Sequence, residues 1–244
     1  MVLILIILVC IIYYHKTIYK LQKHTPIKSF QEAGFKNGDI ILTRCDYSIQ
    51  YEPVHYGIFN IFNFYASGGI ETHAGLVVEK DDELWLYHVE YKPTLDAVSK
   101  EYKWKSPVLV NLQDYVMSYC GDVFHYPAKK KLSIDKTWKF IESTKNCSFT
   151  VNQLTWANTI FKLPAKFKTK NKICTQLVAE YLIYINAVNF SNTQDVNPQD
   201  LKYFIKVSEF YKPVCIIMNA YYNYSKNNNA KTKKYQKQTT MNID

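Results

Sequence analysis

Thr72-His73-Ala74-Gly75-Leu76-Val77-Val78-Glu79, Lys80-Asp81-Asp82-Glu83, Leu84-Trp85-Leu86-Tyr87-His88-Val89-Glu90-Tyr91 is the stretch on which the fold turns. Two runs rich in β-branched and aromatic residues flank a charged four-residue turn, a pattern that predicts a β-hairpin with strands over 72–79 and 84–91. His73 falls on the first strand, and His88 and Glu90 on the second. Residues two apart on a strand share a face, so His88 and Glu90 point the same way. Paired strands bring cross-strand side chains close enough for an imidazole–carboxylate hydrogen bond.

Working outward, Gly38-Asp39-Ile40-Ile41-Leu42-Thr43 reads as a turn followed by the first core strand. Asp39 is read as a structural turn residue. Between it and the hairpin, the aromatic-rich stretch over 47–69 reads as a long excursion, from which Tyr47, Tyr51 and His55 are candidates to line a cleft. After the hairpin, 107–112 and 123–126 predict strands, and Ser133 is placed to cap a helix running to about Ser143. Ile173-Cys174-Thr175-Gln176-Leu177-Val178-Ala179-Glu180-Tyr181-Leu182 then sets Leu177, Val178, Tyr181 and Leu182 at helical spacing. A short helix over 198–204 and a strand over 214–218 complete an α+β domain assigned to residues 25–220.

The termini read differently. Val2 to Tyr14 is an unbroken apolar run followed by His15, Lys16, Lys20 and Lys23, which predicts a single-pass membrane anchor with its basic flank over 1–24. The lysines lie on the C-terminal side, so the expectation is a catalytic domain facing the cytoplasm. Residues 221–244 are polar and lysine-rich and are expected to be a disordered tail. The net charge of +9 is carried almost wholly by lysine, Arg44 being the one arginine. Base readout relies on the arginine fork, so no nucleic-acid partner is expected, whereas an anionic membrane surface suits the lysines. The six cysteines show no CxxC pair and no dense disulfide spacing, and read as reduced thiols.

A thiol becomes a useful nucleophile when its pKa is lowered, and the start of a helix does this through its N–H groups and dipole. Cys174 is predicted at such a place. It also needs an imidazole as base and a polar group to orient that imidazole, roles for which His73 and Glu90 are the candidates. His88 is the rival for the orienting role, and His125 has no assigned role. A zinc site built from His73, His88 and Cys174 has suitable donors but no compact ligand spacing, so neither metal nor cofactor is expected.

The order Gly38-Asp39, His73-Ala74-Gly75, Tyr87-His88-Val89-Glu90, Cys174-Thr175-Gln176 resembles the NlpC-type papain-like superfamily in its circularly permuted form. That branch includes lecithin retinol acyltransferase, YiiX-like bacterial proteins and related poxvirus proteins. Asn197-Pro198-Gln199-Asp200-Leu201 is similar to the proline-led helix that follows the cysteine helix in YiiX-like sequences. The resemblance spans about residues 37 to 218. It implies a permuted papain-like fold, an antiparallel sheet packed against the cysteine-bearing helix. It maps Cys174 to the nucleophile, His73 to the base and Glu90 to the third residue, because a carboxylate closes this strand in YiiX-like sequences. Related families use histidine there, which keeps His88 in view. Thr175-Gln176 departs from the Ser-Gly common after the cysteine in unpermuted peptidases.

The resulting expectation is a membrane-anchored thiol hydrolase or acyltransferase acting on an amide, ester or thioester. The anchor favours a lipid or lipid-linked substrate over a peptide. The rivals are a catalytically silent viral membrane or virion protein that keeps the fold, and a cysteine peptidase or deubiquitinase.

Overall fold

A computed structural model of the chain describes residues 2–45, 64, 68–90, 93–149, 173–189, 193, 196–220 and 222–223, without the side chains of residues 2–4 and 90. In chain order the strands are β1 (Ile27–Lys28), β2 (Ile40–Cys45), β3 (His73–Lys80), β4 (Glu83–Glu90), β5 (Thr94–Leu95), β6 (Tyr102–Lys103), β7 (Ser106–Asn111), β8 (Gly121–Tyr126) and β9 (Cys215–Ile217). The helices are α1 (Val2–His24), α2 (Phe30–Ala33), α3 (Leu112–Ser118), α4 (Ile134–Thr144), α5 (Cys174–Tyr184) and α6 (Pro198–Val207). Seven strands form one sheet in the order β1-β9-β8-β2-β3-β4-β7, and β5 and β6 form a separate ribbon. The large sheet is antiparallel throughout apart from β1 beside β9.

The predicted hairpin, β3 with β4, lies between β2 and the edge strand β7. Asp81 and Asp82 take φ of +52° and +61° in the turn between Lys80 and Glu83, a conformation that aspartate tolerates and that matches the twist of paired strands. Gly75 is required by close approach, since a Cβ there would lie 2.7 Å from Leu86 Cδ1 and 3.2 Å from His88 Cβ. Bare backbone at 75 therefore gives the His88 side chain its room.

Both faces of the sheet are covered, which is why its strands are apolar at successive positions instead of strictly alternating. Ile40, Leu42, Ala74, Leu76 and Tyr87 face a core shared with α1, α4, α5 and α6. Ile41, Val77, Leu86 and Val123 face a smaller core closed by Ala33 of α2 and by Leu112 and Val116 of α3. Helix α5 packs against β3. Leu177, Val178 and Leu182 of this helix are buried, each contributing about 1.5–3 kcal/mol. Its orientation is fixed by a buried chain in which Asn37 Nδ2 donates to Thr137 Oγ1 at 2.9 Å and Thr137 shares a 3.0 Å hydrogen bond with Tyr181 Oη.

Three readings change. Helix α3 was not foreseen: 107–112 reads as strand, but the chain turns at Asn111, whose side chain accepts from Asp114 N–H and starts a helix. The polar stretch around Gln22 to Gln31, which reads as a linker in sequence, contains β1 and the start of α2. The single-pass anchor is not supported. Residues 2–24 do form one helix, but among the described residues no helix is long and apolar enough to cross a membrane. His15, Lys16, Lys20 and Lys23 break the apolar run, while Tyr14 and Ile18 turn into the protein core. Tyr47, Tyr51, His55 and nearly all of the tail lie outside the described residues.

Candidate active site

Cys174 is the first residue of α5, as the sequence predicts. The helix start differs from those of α2, α3, α4 and α6, which Ser29, Asn111, Ser133 and Asn197 cap through side-chain oxygens. Ile173, in the N-cap position of α5, has no side-chain oxygen to offer, and Gln176 reaches back to accept from Ile173 N–H at 2.9 Å. Without a side-chain cap, the first turn satisfies the Gln176 N–H through Ile173 O, at 3.0 Å, and the positive end of the helix dipole lies beside residue 174. Thr175 Oγ1 donates to Val196 O at 2.7 Å, tying this start to the segment before α6. Cys174 is 1% exposed.

His73 opens β3 and His88 lies within β4. Their rings meet edge to face, with His73 Nε2 2.9 Å from His88 Nδ1. His88 is fully buried, its ring packed edge-on against Tyr115 of α3 at 5.0 Å between centroids. Burial pushes the His73 pKa down from 6.5 to about 4, so the ring is neutral at physiological pH. Glu90 closes β4 opposite Ser106 of β7, and its side chain is outside the described residues. Of the two residues weighed for the third role, His88 is thus the one seen bonded to His73. The sequence signal for it was its spacing from Glu90; the Tyr115 contact had no signal at all, because α3 was not foreseen.

No family model matches the chain, and no curated protein matches it. Among solved structures it is similar to the crystal structure of the metalloprotein yiiX from Escherichia coli O157:H7, with 11% identity and a TM-score of 0.38 over 74% of this chain and 88% of that chain. A likeness at that level carries nothing about the site.

The hydrogen bond restricts the tautomers. Where His73 Nε2–H donates to His88 Nδ1, His73 Nδ1 is the basic nitrogen, and the buried His88 holds the ring at a fixed angle. By strand alternation the pair lies on the α3 side of the sheet with Gly75 and Val77, while Cys174 belongs to the α5-side core with Ala74, the residue after His73. His73 stands at the first residue of β3, the end of that strand. Among the described residues, no group of three or more His, Cys, Asp or Glu side chains is arranged to hold a metal ion.

Asp39 and His125 form a second histidine site, described by contacts unrelated to Cys174. Asp39 accepts from Lys36 N–H at 3.0 Å, from Ala128 N–H at 2.8 Å and from His125 Nε2 at 2.7 Å. Every lone pair that matters is taken by the fold.

Proposed function

We propose that the chain is a thiol-dependent acyl hydrolase or acyltransferase in which Cys174 is the nucleophile, His73 the base and His88 the residue that orients His73. The observation that carries this reading is the 2.9 Å bond between His73 and His88 on adjacent strands of the sheet against which the cysteine-bearing helix packs. Glu90, favoured from the sequence resemblance, gives way to His88 on that bond. The permuted papain-like architecture remains part of the proposal, supported by the antiparallel sheet and by the order of Asp39, His73 and Cys174 along the chain.

The chemistry follows from the protonation states. The Cys174 thiol gives its proton to His73 Nδ1 as sulfur attacks the carbonyl carbon of an ester, thioester or amide. The carbonyl π pair moves onto oxygen, where N–H groups at the start of α5 stabilise it. Collapse expels the alcohol, thiol or amine, which takes the proton from His73, leaving an acyl-cysteine. Water, or an acceptor hydroxyl or amine, then gives a proton to His73 and attacks the acyl carbon, releasing the product and restoring the thiol. Because His73 is neutral well below pH 7, the resting pair is thiol and imidazole, and the proton moves only as the S–C bond forms.

The test offers the full chain a soluble acyl thioester and a phospholipid ester side by side, in wild type, Cys174→Ser and Cys215→Ser. Turnover of either substrate that falls at least about a thousandfold in Cys174→Ser and persists in Cys215→Ser supports the reading. Turnover unaffected by Cys174→Ser, or none with a panel of ester, thioester and amide donors, overturns it.

A further inference from the structure

Helix α1 divides into two parts. From Tyr14 onward it belongs to the domain: Tyr14 is fully buried, its ring 5.1 Å from that of Phe64, and Ile18 lies in the same core. Before that point it projects. Leu5, Ile6, Ile7, Leu8 and Val9 are consecutive, and each is between 51% and 62% exposed. Five consecutive residues cover more than one turn of 3.6, so apolar side chains meet solvent on every side of the helix and not along one stripe. Tyr13 continues this surface, and then the chemistry changes: His15, Lys16, Lys20 and Lys23 are exposed and the helix contains no acidic residue.

Three kinds of occupant could cover such a tip, and its chemistry separates them. A groove on a protein partner covers one side of a helix and leaves the other in water. Pairing with a second copy also leaves one side wet, and in a parallel pair it brings Lys16, Lys20 and Lys23 of two chains together. Hydrocarbon covers all sides. The length also fits: Leu5 to Tyr13 is nine residues, about 13 Å at 1.5 Å per residue, close to half of a hydrocarbon core of roughly 30 Å. Tyr13 and Tyr19, both exposed, bracket the level at which tyrosine prefers to sit, and the lysines lie at the height of the headgroups.

We propose that α1 inserts its tip, Leu5–Tyr13, into one leaflet of an anionic phospholipid membrane without crossing it, with Lys16, Lys20 and Lys23 on the lipid headgroups. The domain is then held against one surface of the bilayer. This does not depend on the chemistry of Cys174. It replaces a spanning anchor, for which the apolar run of the helix is too short, with a one-leaflet anchor.

The experiment is flotation of the full chain with vesicles of pure phosphatidylcholine and of phosphatidylcholine containing phosphatidylserine. The expected result is flotation that is stronger with phosphatidylserine and weakened by salt. Ile7→Glu with Leu8→Glu abolishes it while the thermal unfolding midpoint stays unchanged, because both side chains are already in solvent. Lys16→Gln, Lys20→Gln and Lys23→Gln together weaken it about a hundredfold, at about fivefold per lysine. No flotation, flotation undiminished in the glutamate variant, or a concentration-dependent dimer that the glutamate variant dissociates in the absence of vesicle binding would each overturn the proposal. Modification of Leu5→Cys by a maleimide trapped in the vesicle lumen would show crossing and also overturn it.

Discussion

On the β8–β9 side of the sheet, Cys215 Sγ lies 3.7 Å from His125 Nδ1, and His125 Nε2 lies 2.7 Å from Asp39 Oδ2. By residue type this is a better nucleophile–base–carboxylate line than the one at α5. Its surroundings say otherwise. His125 and Asp39 are fully buried, and Phe35 covers the imidazole at 4.2 Å between centroids. Burial pushes the Cys215 thiol up, away from the thiolate. Cys215 sits on a strand with no helix start behind it, and Asp39 is committed to two backbone N–H groups as well as to His125. The α5 end has the opposite arrangement. Cys174 is buried too, but it opens a helix whose cap residue supplies no side-chain oxygen, and His73, bonded to His88, stands at the beginning of its strand. The comparison teaches that a cysteine, a histidine and an acid in line make a structural bond network where each partner is locked by the fold. Helix termini and strand ends are where the same residue types can meet a substrate.

The largest effect that separates the two regions is on stability. Asp39→Ala leaves His125 and the N–H groups of Lys36 and Ala128 without their buried acceptor. It should cost about 3–5 kcal/mol in urea unfolding, the range for breaking a buried charged hydrogen-bonded pair. A loss below about 1 kcal/mol would mean that the Asp39 network is not holding the turn. His73→Ala, in the other region, should change stability far less.

Next in size is the pH response of His73. Its folded pKa of about 4 lies below the ordinary 6.5, so the unfolded chain binds a proton that the folded chain refuses between those values. The stability linked to it is fully present above pH 6.5 and is lost as pH falls from 6.5 to about 4, by no more than about 3 kcal/mol given the partial exposure of the ring. Urea midpoints measured across that window should fall on acidification for wild type relative to His73→Asn. Parallel curves would show that burial does not set the His73 pKa.

A smaller effect distinguishes the two candidates for the third residue. His88→Ala should slow acylation of Cys174 by roughly 10- to 100-fold by releasing the His73 ring, while Glu90→Gln should change it less than about threefold. The reverse order would restore Glu90 to the role that the sequence resemblance gave it.

Much of this frame was legible in the sequence. The hairpin was, because Asp81 and Asp82 mark a turn between two runs that only a buried strand pair explains. So was α5, where Leu177, Val178, Tyr181 and Leu182 keep helical spacing, and α4, which Ser133 caps by accepting from Lys136 N–H. Helix α3 was not, since its first residue, Leu112, continues an apolar run that reads as strand. The relation of His73 to His88 was half legible: alternation puts His88 and Glu90 on one face, and the bond from His88 to the His73 ring, with its packing against Tyr115, appears only in three dimensions. Helix α1 misleads for a physical reason. An apolar run that spans and one that projects from a domain look alike until the burial of Tyr14 shows where the protein begins.

The most direct test of the central claim is the rate at which an acyl-thioester probe modifies Cys174, followed by peptide mass in wild type and His73→Ala. The account predicts rapid acylation of Cys174, none of Cys215, and a fall of about a hundredfold or more at Cys174 when the imidazole is removed. Equal acylation of Cys174 in the two proteins would contradict it.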